Sequence, residues 1–167
     1  MTSMTPEPPS RLLLAFDGSD LSHRAIEHAA ALKPGAHALV LCVSEPLPVV
    51  LPTPVGAAAV ANAAEPLQDP DGITTTATER ARDIARQGAA LAEGVGLRAS
   101  WDTTIARGTS GIADAIVEKA QSAGASMIVL GSHGRSALGA ALLGSVSTAV
   151  LHRACMPVLV VPAACDG

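Results

Sequence analysis

The chain has 167 residues, of which 49% are hydrophobic and 16% charged, and its formal net charge is -4. That length suits one domain able to bury most of its unfolded surface without a disulfide or metal staple. One Trp, one Phe, no Tyr and an acidic balance leave neither the aromatic platforms nor the basic face of a nucleic-acid binder.

Residues 1–9, within MTSMTPEPPS, are polar and Pro-rich and read as a disordered tail. The domain then runs over 10–162, and 163–167 form a short C-terminal tail. The first strand is LLLAF (12–16), too short for a signal core and followed at once by Asp17. The helix after it places Leu21, Ala25, Ala29 and Leu32 on one face and stops at Lys33-Pro34-Gly35. ALVLCV (38–43) is the second strand. Residues 46–76 break the rhythm: they are long, rich in Pro and Ala, and without periodicity, so they read as a mobile surface insert.

A second helix follows in TERARDIARQGAALAEGVG, with Ala81, Ile84, Ala85, Leu91 and Ala92 inward; Gly88 weakens it by about 1 kcal/mol relative to Ala. LRASWDTTI (97–105) alternates and carries charge, as an edge strand does. SGIADAIVEKAQSAG forms the third helix, with Ile112, Ala115, Ile116 and Ala120 inward. MIVLG (127–131) is the fourth strand. The last helix spans Val146 to Ala154, with His152 and Arg153 in its final turn, and PVLVVP (157–162) is the last strand. Strands so continuously aliphatic suit a parallel sheet covered on both faces. The order β-α-β-α-β-α-β-α-β is that of a single-domain, doubly wound α/β fold.

The five histidines and three cysteines show no metal-ligand spacing and no CxxC pair, which fits reduced thiols in a cytoplasmic, soluble protein. No stretch reaches the roughly 18 apolar residues of a membrane span. GVGLRA (94–99) matches GxGxxA, but it follows a helix and opens a strand, so Gly94 or Gly96 is better read as a helix C-cap. The P-loop and GxSxG patterns are absent.

The informative stretch is GSHGRSALGAALLGS (131–145), a Gly-rich, carboxylate-free loop between strand and helix. Uncovered backbone N–H groups and a helix N-terminus together attract phosphate. Arg135 adds a full charge, and Ser145 or Ser147 is placed to cap the helix. If the sheet switches direction between its first and fourth strands, Asp17 and Gly131 flank one crevice. Ser19 is the better cap of the first helix, which leaves Asp17 freer for a ribose or an adenine amino group. Hydrolysis finds little support: there is no Walker lysine, and a His such as His133 in a GSHG turn more often serves structure than acts as a base, so weak ATPase activity is the most these residues offer.

Gly131-x2-Gly134-x9-Gly144-Ser145 resembles the G-2x-G-9x-G-(S/T) motif of the universal stress protein family. LLLAFDGSD, IVLGSHGRS and GSVSTAVLHRACMPVLVVP extend the resemblance over about residues 10 to 162. It implies a five-stranded parallel sheet of order 3-2-1-4-5 with helices on both faces. It also implies binding of ATP, with Mg or Mn held through the phosphates rather than by protein side chains. Asp17 and Gly18 fall on the adenosine side, and the Val43 backbone meets adenine. Gly131, His133, Gly134, Arg135, Gly144, Ser145, Val146 and Ser147 fall around the phosphates and ribose. The family pattern further implies a homodimer through strand 157–162, its pairing limited by Pro157 and Pro162, and a nucleotide-dependent role in the stress response through a protein partner the sequence does not name; the alternatives are a slow ATPase and an interaction dimer that binds no nucleotide.

Overall fold

The computed structural model describes residues 11–44, 70–106, 111–133 and 143–163, and for 70–76 the backbone alone. Five strands, β1 (Arg11–Ala15), β2 (His37–Ser44), β3 (Arg98–Ile105), β4 (Ala125–Gly131) and β5 (Val158–Val161), alternate with four helices. The helices are α1 (Asp20–Leu32), α2 (Pro70–Gly94), α3 (Gly111–Ser122) and α4 (Ser145–Arg153). All neighbouring strands pair in parallel, in the order β3-β2-β1-β4-β5. The direction of winding therefore reverses between β1 and β4.

Strand alternation divides the core in two. Leu12, Leu14, Phe16 and Val40 meet Ala25, Ile26 and Ala29 of α1 and Ala89 and Ala92 of α2 on one face. Leu13, Leu39, Leu41, Ile128 and Leu130 meet Ala113, Ile116, Val117 and Ala120 of α3 and Val150 of α4 on the other. The bulk sits on the strands and the helices contribute mostly alanine, so helix and sheet approach closely.

Three details differ from the sequence reading. The buried face of α1 is Ser22, Ala25, Ile26, Ala29 and Ala30, and Leu32 is 61% exposed. Its stripe is rotated because the extended Ser19 sets the helix start and Ser22 turns inward. Helix α2 begins at Pro70 rather than near Thr78. Gly72 and three successive threonines are poor helix formers and hid the first turns, while Pro suits a first helical position. Part of the 46–76 stretch is thus helical, and its remainder through residue 69 lies outside the described residues, as do the 1–9 tail and residues 164–167. The third difference concerns Gly88, which faces the sheet: a Cβ there would lie 2.6 Å from Phe16 Cδ1 and 2.9 Å from Val40 Cγ1.

The expected edge strand is indeed outermost. Trp101 of β3 is 40% exposed, and the Arg86 guanidinium lies 5.6 Å from its ring centroid. Gly96, with φ +91°, closes the end of α2, as the capping reading of GVGLRA expects. Asp102 of β3 pairs with Lys119 of α3. The hydrogen bond from Lys119, helped by the Thr103 amide, lowers the Asp102 carboxyl below its ordinary value against a smaller opposing effect of burial.

A lowered folded-state value means stability present above the unfolded carboxyl's titration and lost as pH falls through the folded one. Both partners are partly solvated, so screening holds the pair to about 1 kcal/mol or less. Asp102→Asn should therefore lower the urea midpoint slightly at pH 7, and the gap to the parent should close as pH drops below about 4. A gap independent of pH would assign the loss to packing.

Candidate functional site

The chain leaves β1 when the Phe16 amide donates to the Leu41 carbonyl at 2.9 Å. Asp17 Oδ1 then accepts from the Ser19 amide at 3.0 Å and the Ser19 hydroxyl at 2.6 Å. Gly18, with φ +80°, makes the left-handed step between them. Ser19 Oγ caps α1 by accepting from the Ser22 amide at 3.3 Å. The His23 ring donates through Nδ1 to the Ser19 carbonyl at 2.8 Å and stands edge-on to Phe16, 5.0 Å between centroids. Ser19 caps as expected, but Asp17 is not thereby freed: its carboxylate is committed to the loop.

β2 continues past the point where β1 turns away. Odd-numbered residues of β2 direct their backbone groups toward β1, as Leu41 does, and even-numbered ones toward β3, as Ser44 does in accepting from Ala106. By that alternation the N–H and C=O of Val43 face the side that β1 has vacated.

On the other side of β1, Leu14 is level with Val129, which brings Phe16 level with Gly131. The first turn of α1 packs on the end of β4, where a Cβ on Gly131 would lie 2.9 Å from Leu21 Cβ and 3.2 Å from its carbonyl carbon. Gly131 is thus glycine because α1 crosses it. One residue on, the Ser132 amide donates to the Val161 carbonyl at 2.8 Å. The Ser132 carbonyl accepts twice, from the Gly144 amide at 2.7 Å and the buried Ser147 hydroxyl at 2.8 Å. These bonds fasten the start of α4 to the end of β4. The approach is close enough that a Cβ on Gly144 would sit 3.1 Å from the Ser132 oxygen.

This arrangement corrects two expectations. Neither Ser145 nor Ser147 caps α4: the cap is Gly144 and has no side-chain hydrogen bond. Ser147 instead donates to the Ser132 and Gly144 carbonyls. The Gly144 amide is also not open to a ligand. The first-turn amides of Ser145, Val146 and Ser147 precede the helical ladder, which begins with Thr148 donating to Gly144, and among the described residues no side chain caps them. No acidic residue lies in that turn, so the positive end of the helix dipole is unopposed there. His133 borders it, its Nδ1 3.1 Å from Ser132 Oγ.

The sequence model of the universal stress protein family matches residues 9–162. The chain belongs to the universal stress protein family. It is 34% identical over 152 residues to a universal stress protein of Thermus aquaticus, covering 90% of this chain and 96% of that one. It is 60% identical over 40 residues to the universal stress protein Rv2005c of Mycobacterium tuberculosis, a match spanning 24% of this chain and only 14% of that longer relative. Among solved structures, the hypothetical protein MJ0577 superposes with a TM-score of 0.70 at 24% identity, over 95% of this chain and 99% of that one. A universal stress protein in complex with cAMP gives 0.60 at 23% identity, over 93% and 98% of the two chains. The Archaeoglobus fulgidus universal stress protein in complex with dAMP gives 0.55 at 20%, over 91% and 97%.

Within this universal stress protein fold, Asp17, Gly18, Gly131, His133, Gly144, Ser145, Val146 and Ser147 gather at the β1–β4 reversal, with Val43 across the vacated edge of β2. Gly134 and Arg135 lie outside the described residues. Motif reasoning missed Ser132 and the packing of Leu21 on Gly131. Ser132 occupies a position the motif leaves variable, and its part is played by a backbone carbonyl that no side-chain pattern reports. Among the described residues, no three His, Cys, Asp or Glu side chains gather as a metal site, and no helix is long and apolar enough to cross a membrane.

Proposed function

We propose that this chain binds an adenine nucleotide, ATP with its divalent ion, in the crevice between β1 and β4. One observation carries the reading. The first turn of α4, with the amides of Ser145, Val146 and Ser147 that no described side chain caps, is fastened to the carboxyl end of β4 at the reversal of winding, where α/β sheets take their ligands, with no acidic side chain in that turn. A phosphate fits such a helix start. The complexes of related proteins with cAMP and dAMP support adenine as the base.

In this reading the Val43 backbone receives the adenine edge. The Asp17–Gly18 loop borders the adenosine half, with Asp17 acting chiefly by holding that loop. His133, Gly131 and Gly144 line the route to the α4 amides, and Gly134 and Arg135 complete the phosphate motif. The divalent ion neutralises phosphate charge and reaches the protein through those phosphates. The nucleotide acts as a ligand that biases partner choice in a cytoplasmic stress response, and the protein works as a homodimer through the outer edge of β5.

Calorimetric titration of nucleotide-stripped protein with Mg-ATP, against AMP, tests the site. We expect binding near micromolar, about -8 kcal/mol, with AMP much weaker because the α4 amides are engaged mainly by the outer phosphates. No heat from either ligand in folded protein would leave the glycines to close packing alone.

A further inference from the structure

The opposite end of the sheet holds a second feature. Arg11 is the register partner of His37, and His37 of Arg98. Register partners in parallel strands project from the same face, so three nitrogen-bearing side chains stand in a row across the amino-terminal rim of β1, β2 and β3. Among the described residues, neither arginine forms an ion pair with a carboxylate. The chain as a whole is acidic, with a formal net charge of -4, so this cationic row is local.

The three residues line one concavity of about 450 Å³ together with Leu97, Ser100 and Glu93. That volume lies in the range of small-molecule sites. Two guanidinium groups flanking an imidazole offer planar, forked donors suited to phosphate oxygens. Glu93 is the one carboxylate in the lining; it favours a ligand that also carries a hydroxyl or other donor.

We infer that the Arg11–His37–Arg98 row forms a second site, separate from the crevice, for a small phosphate-bearing anion. It uses other residues at the other end of the strands, so it stands or falls independently of nucleotide binding.

The test is amide NMR of the full chain, titrated with pyrophosphate and in parallel with citrate. We expect saturating shifts at Arg11, His37 and Arg98 with pyrophosphate in the submillimolar range, and weaker ones with citrate. The Arg11→Gln/Arg98→Gln double variant should bind pyrophosphate at least tenfold more weakly, with the amides of Leu14 and Val40 unmoved as evidence of an intact sheet. Shifts at Gly131 and Ser145–Ser147 report the crevice separately. Non-saturating shifts at the rim, equal response to citrate, or full affinity in the double variant would each overturn the assignment.

Discussion

Gly88→Ala should destabilise the protein, although alanine is the better helix former. Propensity alone favours the substitution by about 1 kcal/mol. Against it, the new methyl would lie 2.6 and 2.9 Å from Phe16 ring atoms and 2.9 Å from Val40 Cγ1. Phe16 is 3% exposed and Val40 fully buried, so neither has room to withdraw. Overpacking of this kind costs about 1–3 kcal/mol, and contacts this short belong in the upper half of that range. The expected net loss is about 1–2 kcal/mol, read as a lower urea midpoint at unchanged slope. The effect should reach the crevice as well, because Phe16 immediately precedes Asp17 and touches His23. A more stable Gly88→Ala protein would sink this account of how α2 packs.

Ser145→Asp should move folding and binding in opposite directions. Ser145 is exposed at the first position of α4. A carboxylate there meets the positive end of the helix dipole, a gain of about 0.3–1 kcal/mol. The same charge would stand among the amides proposed to hold the phosphates. We expect a melting temperature equal to or above the parent's, and Mg-ATP affinity lower by at least tenfold, about 1.4 kcal/mol. AMP should lose less. The pair of readouts is more discriminating than enlarging Gly131, whose new side chain would strike Leu21 and damage the fold before it met a ligand. Unchanged Mg-ATP affinity in a folded Ser145→Asp protein would remove the phosphates from α4.

The strands and helices were legible because each rests on a repeated signal, whereas the strand order, and with it the place of winding reversal, was implied by the resemblance to the universal stress protein family. LLLAF, ALVLCV and PVLVVP are too continuously aliphatic for anything but covered strands, and the motif glycines mark where β4 gives way to α4. Single contacts were less legible. Gly88 reads as a weak point in a helix until the Phe16 ring is seen against it. Asp17 reads as a spare carboxylate until the Ser19 hydroxyl is seen at 2.6 Å. The start of α2 escaped because Gly72 and Thr74–Thr76 carry little helix propensity, and such a preference is overridden by context. The Ser132 carbonyl escaped because every residue carries one; only the fold makes this one the anchor of α4.

Trp101 is the chain's single tryptophan, and there is no tyrosine. It stands at the rim of the sheet on β3, with the Arg86 guanidinium over its ring, and both β2 and β1 separate that strand from β4. The protein's intrinsic fluorescence is therefore a local gauge of the seam between α2 and β3. It should brighten or dim as that seam opens during denaturation and stay quiet while a nucleotide enters the crevice. A flat emission titration would say nothing against binding, whereas an emission change on adding ligand would mean that the crevice and the far edge of the sheet are mechanically linked.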